Sequence, residues 1–555
     1  LSLSRERSSP ALAAALWAAV LIGAALVFAP LSGIYFLADD FVPLVLLRHW
    51  QDEGRIGAEL AARFHGGLDP QNHFYRPLSY ASFALNYFAG GTNATSWLAV
   101  NVALHGASAA MAGAIGVMAA GARGARAWIG AAAGAALFLF FSPSAEVIAW
   151  ISGRFDVSAT FFALLSCLLF LRSRTLGDRY AVLSLASGVA AFLCKESAGV
   201  LPFAILMLAC IPRDPGEPSG LRARAVTALR RAAPWLALAA IYLVARYVFF
   251  GTFTKVYVRV TPVPSILSAE YWIQLAASLP AFLAAQFRPQ GYFPAVLAFT
   301  AVQLGAIAYI AIARETERQA RQALFALGTV TALTVALVVP HVVGLLANGL
   351  GGRLAYNTAA FYAALVAAAF AFARPAWPLW GTTLVLVLLH AGSQSAAIGR
   401  SVGASAQMRS LVAAVEQEAR KGTADDYTLV LIPPFIDDVI FGLNAQGGLM
   451  LPPIQERSLA SRVVVQTFED LTDLQDKIAD HLVPTLRRRT LMEYLGGARQ
   501  VTSPAEYPTR IVCWNVAQRR FVPVVVQAGP GPKAYVEAIE RALGGLGCVG
   551  SAVPR

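Results

Sequence analysis

Charge is what this chain has least of. Asp, Glu, Lys and Arg make up 14% of its 555 residues, against roughly 25% in an ordinary soluble domain. Together with a 57% hydrophobic composition, that scarcity excludes an ordinary soluble fold. Cysteine is also sparse. The five are scattered and none forms a CxxC pair, which leaves no zinc-ribbon or dithiol redox spacing. Cys167, Cys194 and Cys210 fall in or near apolar stretches. Cys513 and Cys548 lie in the tail, where the sequence leaves a disulfide and two thiols equally open. There is no P-loop, no GxGxxG and no 34-residue repeat, so neither a nucleotide-binding loop nor a solenoid is expected.

Apolar stretches long enough for a helix to cross a bilayer take up most of residues 11–397. Eleven are expected, at 11–36, 93–119, 128–143, 153–171, 180–194, 198–212, 234–251, 292–313, 322–345, 354–373 and 378–397. Barrel strands would alternate over about ten residues instead, and the fold class is therefore a polytopic α-helical membrane protein. The first stretch follows an Arg-containing segment but has neither the short core nor the cleavage pattern of a signal peptide, and is read as a retained helix. One set of short loops carries Arg5 and Arg7, Arg123 and Arg126, Arg172 to Arg179, Arg213 to Arg231, Arg314 to Arg321, and Arg374. By the positive-inside rule these are cytoplasmic. The N-terminus is then cytoplasmic, and the loops 37–92 and 252–291 and the tail lie outside. Positive-inside anchoring also accounts for most of the net charge of +12, and no nucleic-acid partner is expected.

The chain divides into a transmembrane domain over 1–397 and a smaller extracytoplasmic α/β domain over 398–555. Within the tail, helices are expected at 404–420, 471–481 and 533–545, with strands at 427–434, 461–467 and 521–527. Residues 41–50 of the first outer loop have the pattern of an amphipathic helix at the membrane interface.

Candidate chemistry gathers in the outer gaps. Asp39-Asp40 follows the first stretch; Glu146, Arg154 and Asp156 interrupt an apolar hairpin; Lys195-Glu196 and Arg353 open onto the same side. Ionisable groups at membrane depth are costly, and are usually paired or functional. Carboxylates there can deprotonate a nucleophile or bind a divalent cation. Arginine suits phosphate contacts. For each, the plainer alternative is structural: a solvated membrane exit for Asp39-Asp40, an internal ion pair for Arg154 with Asp156, headgroup anchoring for Lys195 and Arg353. A substrate whose sugar arrives on a lipid phosphate needs no nucleotide-binding domain, which fits this arrangement.

The ordered set Asp39-Asp40, Tyr75-Arg76-Pro77, Asn101 to His105, Glu146 through Arg154 and Asp156, and Lys195-Glu196 resembles the GT-C glycosyltransferases. It is most similar to bacterial relatives of the transmembrane, tetratricopeptide-containing O-mannosyltransferases. The resemblance covers roughly residues 20–212, with Arg353 and Tyr356 beyond it. It implies an inverting enzyme of a bacterial inner membrane with its active face in the periplasm, taking a sugar from a polyprenyl-phosphate donor. It also implies one of Asp39 and Asp40 as base, Asp40 being the narrower expectation, with Glu146 as a second acid. Tyr75, Arg76, His105, Asp156, Glu196 and Tyr356 would shape the substrate cavity, and Lys195, Arg353 and Arg154 would face phosphate. No cofactor is implied beyond a divalent cation held by Asp39, Asp40 and Glu146, if the reaction uses one; the lipid-linked sugar is the donor substrate. The tail lacks the family's repeats, which leaves the acceptor open between protein (as in O-mannosylation), lipid and envelope glycan. Two readings from other classes compete. A transporter or flippase of a charged lipid or solute would continue its polar residues towards the cytoplasm, and a noncatalytic scaffold would tolerate neutralisation of Asp39 and Asp40.

Overall fold

The computed structural model describes residues 10–66, 74–212, 220–253, 267–287, 291–313, 316–342, 351–372, 377–421, 428–459, 462–467, 510–527 and 532–543, with 265, 546 and 548. His73, the loop residues 254–264 and the expected helix at 471–481 lie outside these.

An α-helix bonds its own N–H and C=O groups, which is what a backbone in lipid requires. Each expected apolar stretch overlaps a helix, though the bounds differ: Pro10–Val27, Ala94–Ala120, Gly124–Leu139, Arg154–Arg172, Arg179–Cys194, Leu201–Ala209, Leu221–Phe250, Phe293–Ile312, Arg318–Val342, Gly352–Phe370 and Trp377–Lys421. Among the described residues, six helical segments are long and apolar enough to cross a membrane: Ala94–Ala120, Ile151–Arg172, Arg222–Phe250, Phe293–Ile312, Arg318–Val338 and Trp377–Lys421. Their outer faces are oily. Val248, Ile312, Phe325 and Trp377 are all exposed, an arrangement that lipid tolerates and water does not.

Close glycine-mediated packing joins Ala94–Ala120, Gly124–Leu139 and Gly352–Phe370. A Cβ on Gly116 would stand 2.1 Å from the Ala364 carbonyl oxygen, so only glycine lets these backbones approach. This rigid centre fixes what leaves its ends: the turn that carries Glu146 after the second helix, and Arg353 at the start of the third. The loop 37–92 folds into helices Phe41–Asp52, Ile56–Phe64 and Pro77–Gly90. Phe41, Leu44, Val45, Leu47 and Trp50 of the first are buried, so its apolar face packs inward on the protein. The loop 252–291 holds a helix of its own, Ala269–Ala285, capped by the Ser268 side chain.

One helix, Trp377–Lys421, runs without a break across residue 397 and through the separately expected helix at 404–420. No proline follows Pro378 in this segment, so nothing interrupts its hydrogen-bond ladder. Beyond it come strands β1 (Thr428–Ile432), β2 (Phe435–Ile436), β3 (Val439–Ile440), β4 (Val463–Thr467), β5 (Arg510–Asn515) and β6 (Arg520–Pro523). The main sheet has the order β4-β1-β5-β6, parallel except for the β5–β6 pair, and β2 and β3 form a separate hairpin. The apolar run 511–514, outside the expected strands, supplies central strand β5. Helix Pro532–Leu543 packs Val536 and Ile539 on one face of the sheet. On the other side, Trp514 Nε1 donates to Gln407 Oε1 of the long helix at 3.2 Å. Cys513 and Cys548 are joined as a disulfide.

Candidate active site

The turn Ala38–Asp40 is one tight helical turn with Ala38 in the left-handed region, at φ 51°. That conformation is unfavourable for a residue with a Cβ and is held from several directions. The Ala38 N–H donates to the Phe441 carbonyl of the tail at 2.9 Å. Asp40 is fully buried. Its Oδ2 accepts from the backbone N–H of Leu37 at 3.1 Å and of Ile151 at 3.3 Å, and its Oδ1 accepts from Ser152 at 2.7 Å. The Ile151 and Ser152 donors face it because the 151–153 turn folds tightly back on Val147. A Cβ at Gly153 would stand 2.0 Å from the Val147 carbonyl oxygen.

Asp39 is different. It is half-buried, and its Oδ1 accepts from the Trp150 indole Nε1–H at 2.6 Å. Burial raises its carboxyl to about 6, against the lowering effect of the Trp150 bond and the Arg353 charge. Burial, then the Asp39 charge, raises Asp40 to about 8. The two titrate as a neighbouring pair, and the half-exposed member ionises first.

Arg353 lies on the same tryptophan, its guanidinium 4.9 Å from the ring centroid. It makes no hydrogen bond to the described residues, although its charge acts on both Asp39 and Glu146. Glu146 is occupied by backbone: its Oε1 accepts from Gly351 N–H at 3.3 Å and its Oε2 from Gly352 N–H at 2.9 Å. Burial raises its carboxyl, opposed by Arg353 and these two bonds. Trp150 and Glu146 line a cleft together with Arg400 and Ser401 of the long helix and Asp438 of the β2–β3 hairpin.

The remaining charges pair off beside this cluster. Lys195 Nζ donates to both oxygens of Asp156, at 2.6 and 2.7 Å. Arg76 makes a two-pronged pair with Glu196, with Nε 3.0 Å from Oε2, and lies over the Phe74 and Phe155 rings. Tyr75 donates its hydroxyl to the Phe64 carbonyl and packs on Phe249.

Arg154 and the His105–Tyr356 pair stand apart. The Arg154 guanidinium is fully buried, and donates to Asn101 Oδ1, to Asn86 Oδ1 at 2.8 Å and to the Trp97 carbonyl at 2.5 Å. Its partners are neutral, and they tie helices Pro77–Gly90, Ala94–Ala120 and Arg154–Arg172 together. His105 and Tyr356 are fully buried in the bundle. Nδ1 of the histidine lies 2.7 Å from the tyrosine hydroxyl and Nε2 3.2 Å from the Leu139 carbonyl, so both ring nitrogens are engaged.

The structure thus gathers Asp39, Asp40, Glu146, Arg353, Asp156, Lys195, Arg76 and Glu196, while Arg154, His105 and Tyr356 hold helices together. Among the described residues no three His, Cys, Asp or Glu side chains gather closely enough to hold an ion. Asp40 and Glu146 both turn their oxygens to backbone N–H groups. The residues therefore do not fit the expected divalent cation. Trp150 and Arg400 are the residues the sequence reading did not single out. The sequence signal for Trp150 is an indole set inside a polar turn between two carboxylates.

No protein-family model and no curated protein matches the chain. Solved structures that match include ArnT from Cupriavidus metallidurans in the apo state, at 15% identity over 78% of this chain and 86% of that one, with a TM-score of 0.30. The same protein bound to undecaprenyl phosphate matches at 16% identity over 84% and 92%, with a TM-score of 0.32. Arabinofuranosyltransferase AftD from Mycobacteria matches at 15% identity over 97% of this chain and 43% of that one, with a TM-score of 0.46. These are distant likenesses, and no residue role is taken from them.

Proposed function

We propose that the chain is a GT-C-type inverting glycosyltransferase that moves a sugar from a polyprenyl-phosphate donor to an extracytoplasmic acceptor. One observation carries the reading. A carboxylate with a raised pKa and a guanidinium not bonded to the described residues share one tryptophan, beside an open cleft on an apolar bundle. That is a base and a cation held a short span apart, with the bilayer available for a lipid tail.

In this scheme Asp39 is the base. An acceptor hydroxyl attacks the anomeric carbon as its proton passes to Asp39, and the bond from that carbon to the phosphate oxygen breaks. The electron pair leaves on the polyprenyl phosphate, whose growing charge Arg353 stabilises. One displacement inverts the anomeric configuration. Trp150 orients both groups, and Asp40 holds the turn through its three backbone bonds. Glu146 positions the backbone ahead of Arg353. Lys195 and Arg76, each neutralised by a carboxylate, form the wall beside them.

The same proposal sets the protein in a bacterial inner membrane with eleven spans, its N-terminus cytoplasmic, and the cleft and the sheet domain periplasmic. Protein, lipid and envelope glycan all remain within the acceptor class of this reading, and mannose, arabinose and other sugars within the donor class. The test is transfer of label by the purified protein in lipid, from a panel of radiolabelled polyprenyl-phosphate sugars to envelope extracts. Transfer with inversion supports the reading. With a folded protein, no transfer from any donor together with movement of the intact lipid across the bilayer overturns it in favour of a flippase.

A further inference from the structure

Resting on that reading, we infer that the cleft between the long helix and the β2–β3 hairpin is the acceptor subsite, and that it takes a neutral, hydroxyl-rich saccharide through Arg400 and Asp438.

Three parts of the chain build this cleft. Trp150 and Glu146 come from the hairpin turn of the membrane core, Ala397, Arg400 and Ser401 from the long helix, and Asp438 from the tail. The tail is fixed at this spot by the turn that carries the candidate base, through the Ala38 N–H to Phe441 carbonyl bond. Asp437 and Asp438 make the hairpin corner with left-handed backbones, at φ 48° and 63°, and the corner sets Asp438 on the cleft wall. A group lodged here is therefore next to Trp150, whose indole holds Asp39.

The chemistry of the lining decides what fits. Arg400 Nη1 is buried and has no hydrogen-bond partner among the described residues, and a guanidinium N–H left without a partner away from water is costly. A ligand that accepts a hydrogen bond there removes that cost. A phosphate is a poor occupant, because Glu146 and Asp438 put two carboxylates on the same walls. A saccharide hydroxyl both donates and accepts. It can accept from Arg400 and donate to a carboxylate across the cleft, with Ser401 and Gln286 as further partners, while Trp150 adds an aromatic side chain to the lining. Planar polar side chains around an aromatic wall, with donors and acceptors mixed, suit a neutral polyol.

The experiment measures binding and turnover separately, on the full chain in nanodiscs. Binding of a panel of neutral hexose and pentose trisaccharides is followed by saturation-transfer NMR, in wild type, Arg400→Ala, Asp438→Asn and Ala397→Trp. The last fills the cleft without removing a polar group. Slow hydrolysis of a labelled polyprenyl-phosphate sugar, with water as acceptor, is measured on the same samples. The inference predicts trisaccharide binding to wild type, weakened about tenfold or more in Arg400→Ala and Asp438→Asn and abolished in Ala397→Trp, while donor KM in Arg400→Ala stays near wild type. Failure of every trisaccharide to bind wild type overturns it, as does unaltered binding in Ala397→Trp. So does a rise in donor KM in Arg400→Ala with saccharide binding intact, which would make Arg400 a phosphate contact. Saccharide binding with no donor turnover in any sample refutes the glycosyltransferase reading, and with it the acceptor role, and leaves only a saccharide-binding site.

Discussion

Replacing Trp150 by phenylalanine removes one N–H and leaves a ring under Arg353, which makes it a sharp probe of the site. The indole N–H donates to Asp39 Oδ1 at 2.6 Å and favours the ionised carboxylate. A hydrogen bond to a charged group contributes about 1.5–3 kcal/mol. At 1.36 kcal/mol per pKa unit, its loss raises the Asp39 carboxyl by roughly 1 to 2 units. The sign follows from the base role. Asp39 works ionised, so kcat/KM falls as pH drops through about 6 in wild type, and in Trp150→Phe the fall begins at higher pH. The acid limb of the profile should move up by about 1 to 2 pH units, with the two enzymes converging at alkaline pH to within the loss due to orientation alone. The assay is glycosyl transfer across pH, with the fold checked at each end. An acid limb that stays in place would refute the claim that Trp150 sets the protonation of the base. A uniform drop at every pH would reduce Trp150 to a packing role.

The other charged residues separate by what they touch. Arg154→Met should cost stability, because it leaves the Asn101, Asn86 and Trp97 oxygens buried without their donor, at about 1–3 kcal/mol for each unsatisfied group. Thermal unfolding in detergent reads this, and a variant with unchanged Tm that has lost only donor binding would return Arg154 to the phosphate side. Lys195→Met should destabilise by about 3–5 kcal/mol by leaving Asp156 buried and unpaired, and Lys195→Met with Asp156→Asn should recover most of that; no recovery would show that the pair is not the stabilising unit. For topology, a cysteine at exposed Ala517 should react with an impermeant maleimide in intact spheroplasts, whereas one at exposed Gly177 should react only after lysis. The reverse pattern would invert the whole orientation.

Much of the helical frame was legible because the length and oiliness of a stretch decide whether it can satisfy its backbone in lipid. The end of the last helix was not. Its apolar run thins near His390, yet hydrogen bonding continues to Lys421 because no proline stops it. Strand β5 was hidden by its shortness: a run of a few apolar residues reads as strand or helix alike, and only pairing with β1 decides it. The polar gaps were legible as places of chemistry, since buried charge stands out in an apolar chain. Which charge does what was not. Arg154 and Arg353 look alike in sequence, but one is enclosed by neutral oxygens and the other lies on an indole face. Asp39 and Asp40 are adjacent, and differ because backbone donors 111 and 112 residues away close on Asp40, while Asp39 takes the Trp150 indole. Such contacts are properties of the packing and leave no local pattern.

The most direct test is steady-state transfer from a polyprenyl-phosphate sugar by wild type, Asp39→Asn and Asp40→Asn. With Asp39 as base, Asp39→Asn should lose about 10²–10⁴ in kcat with donor KM near wild type, and Asp40→Asn should lose folded protein while its folded fraction keeps turning over. Wild-type kcat in Asp39→Asn would contradict the account, and a folded Asp40→Asn that is inactive would move the base to Asp40.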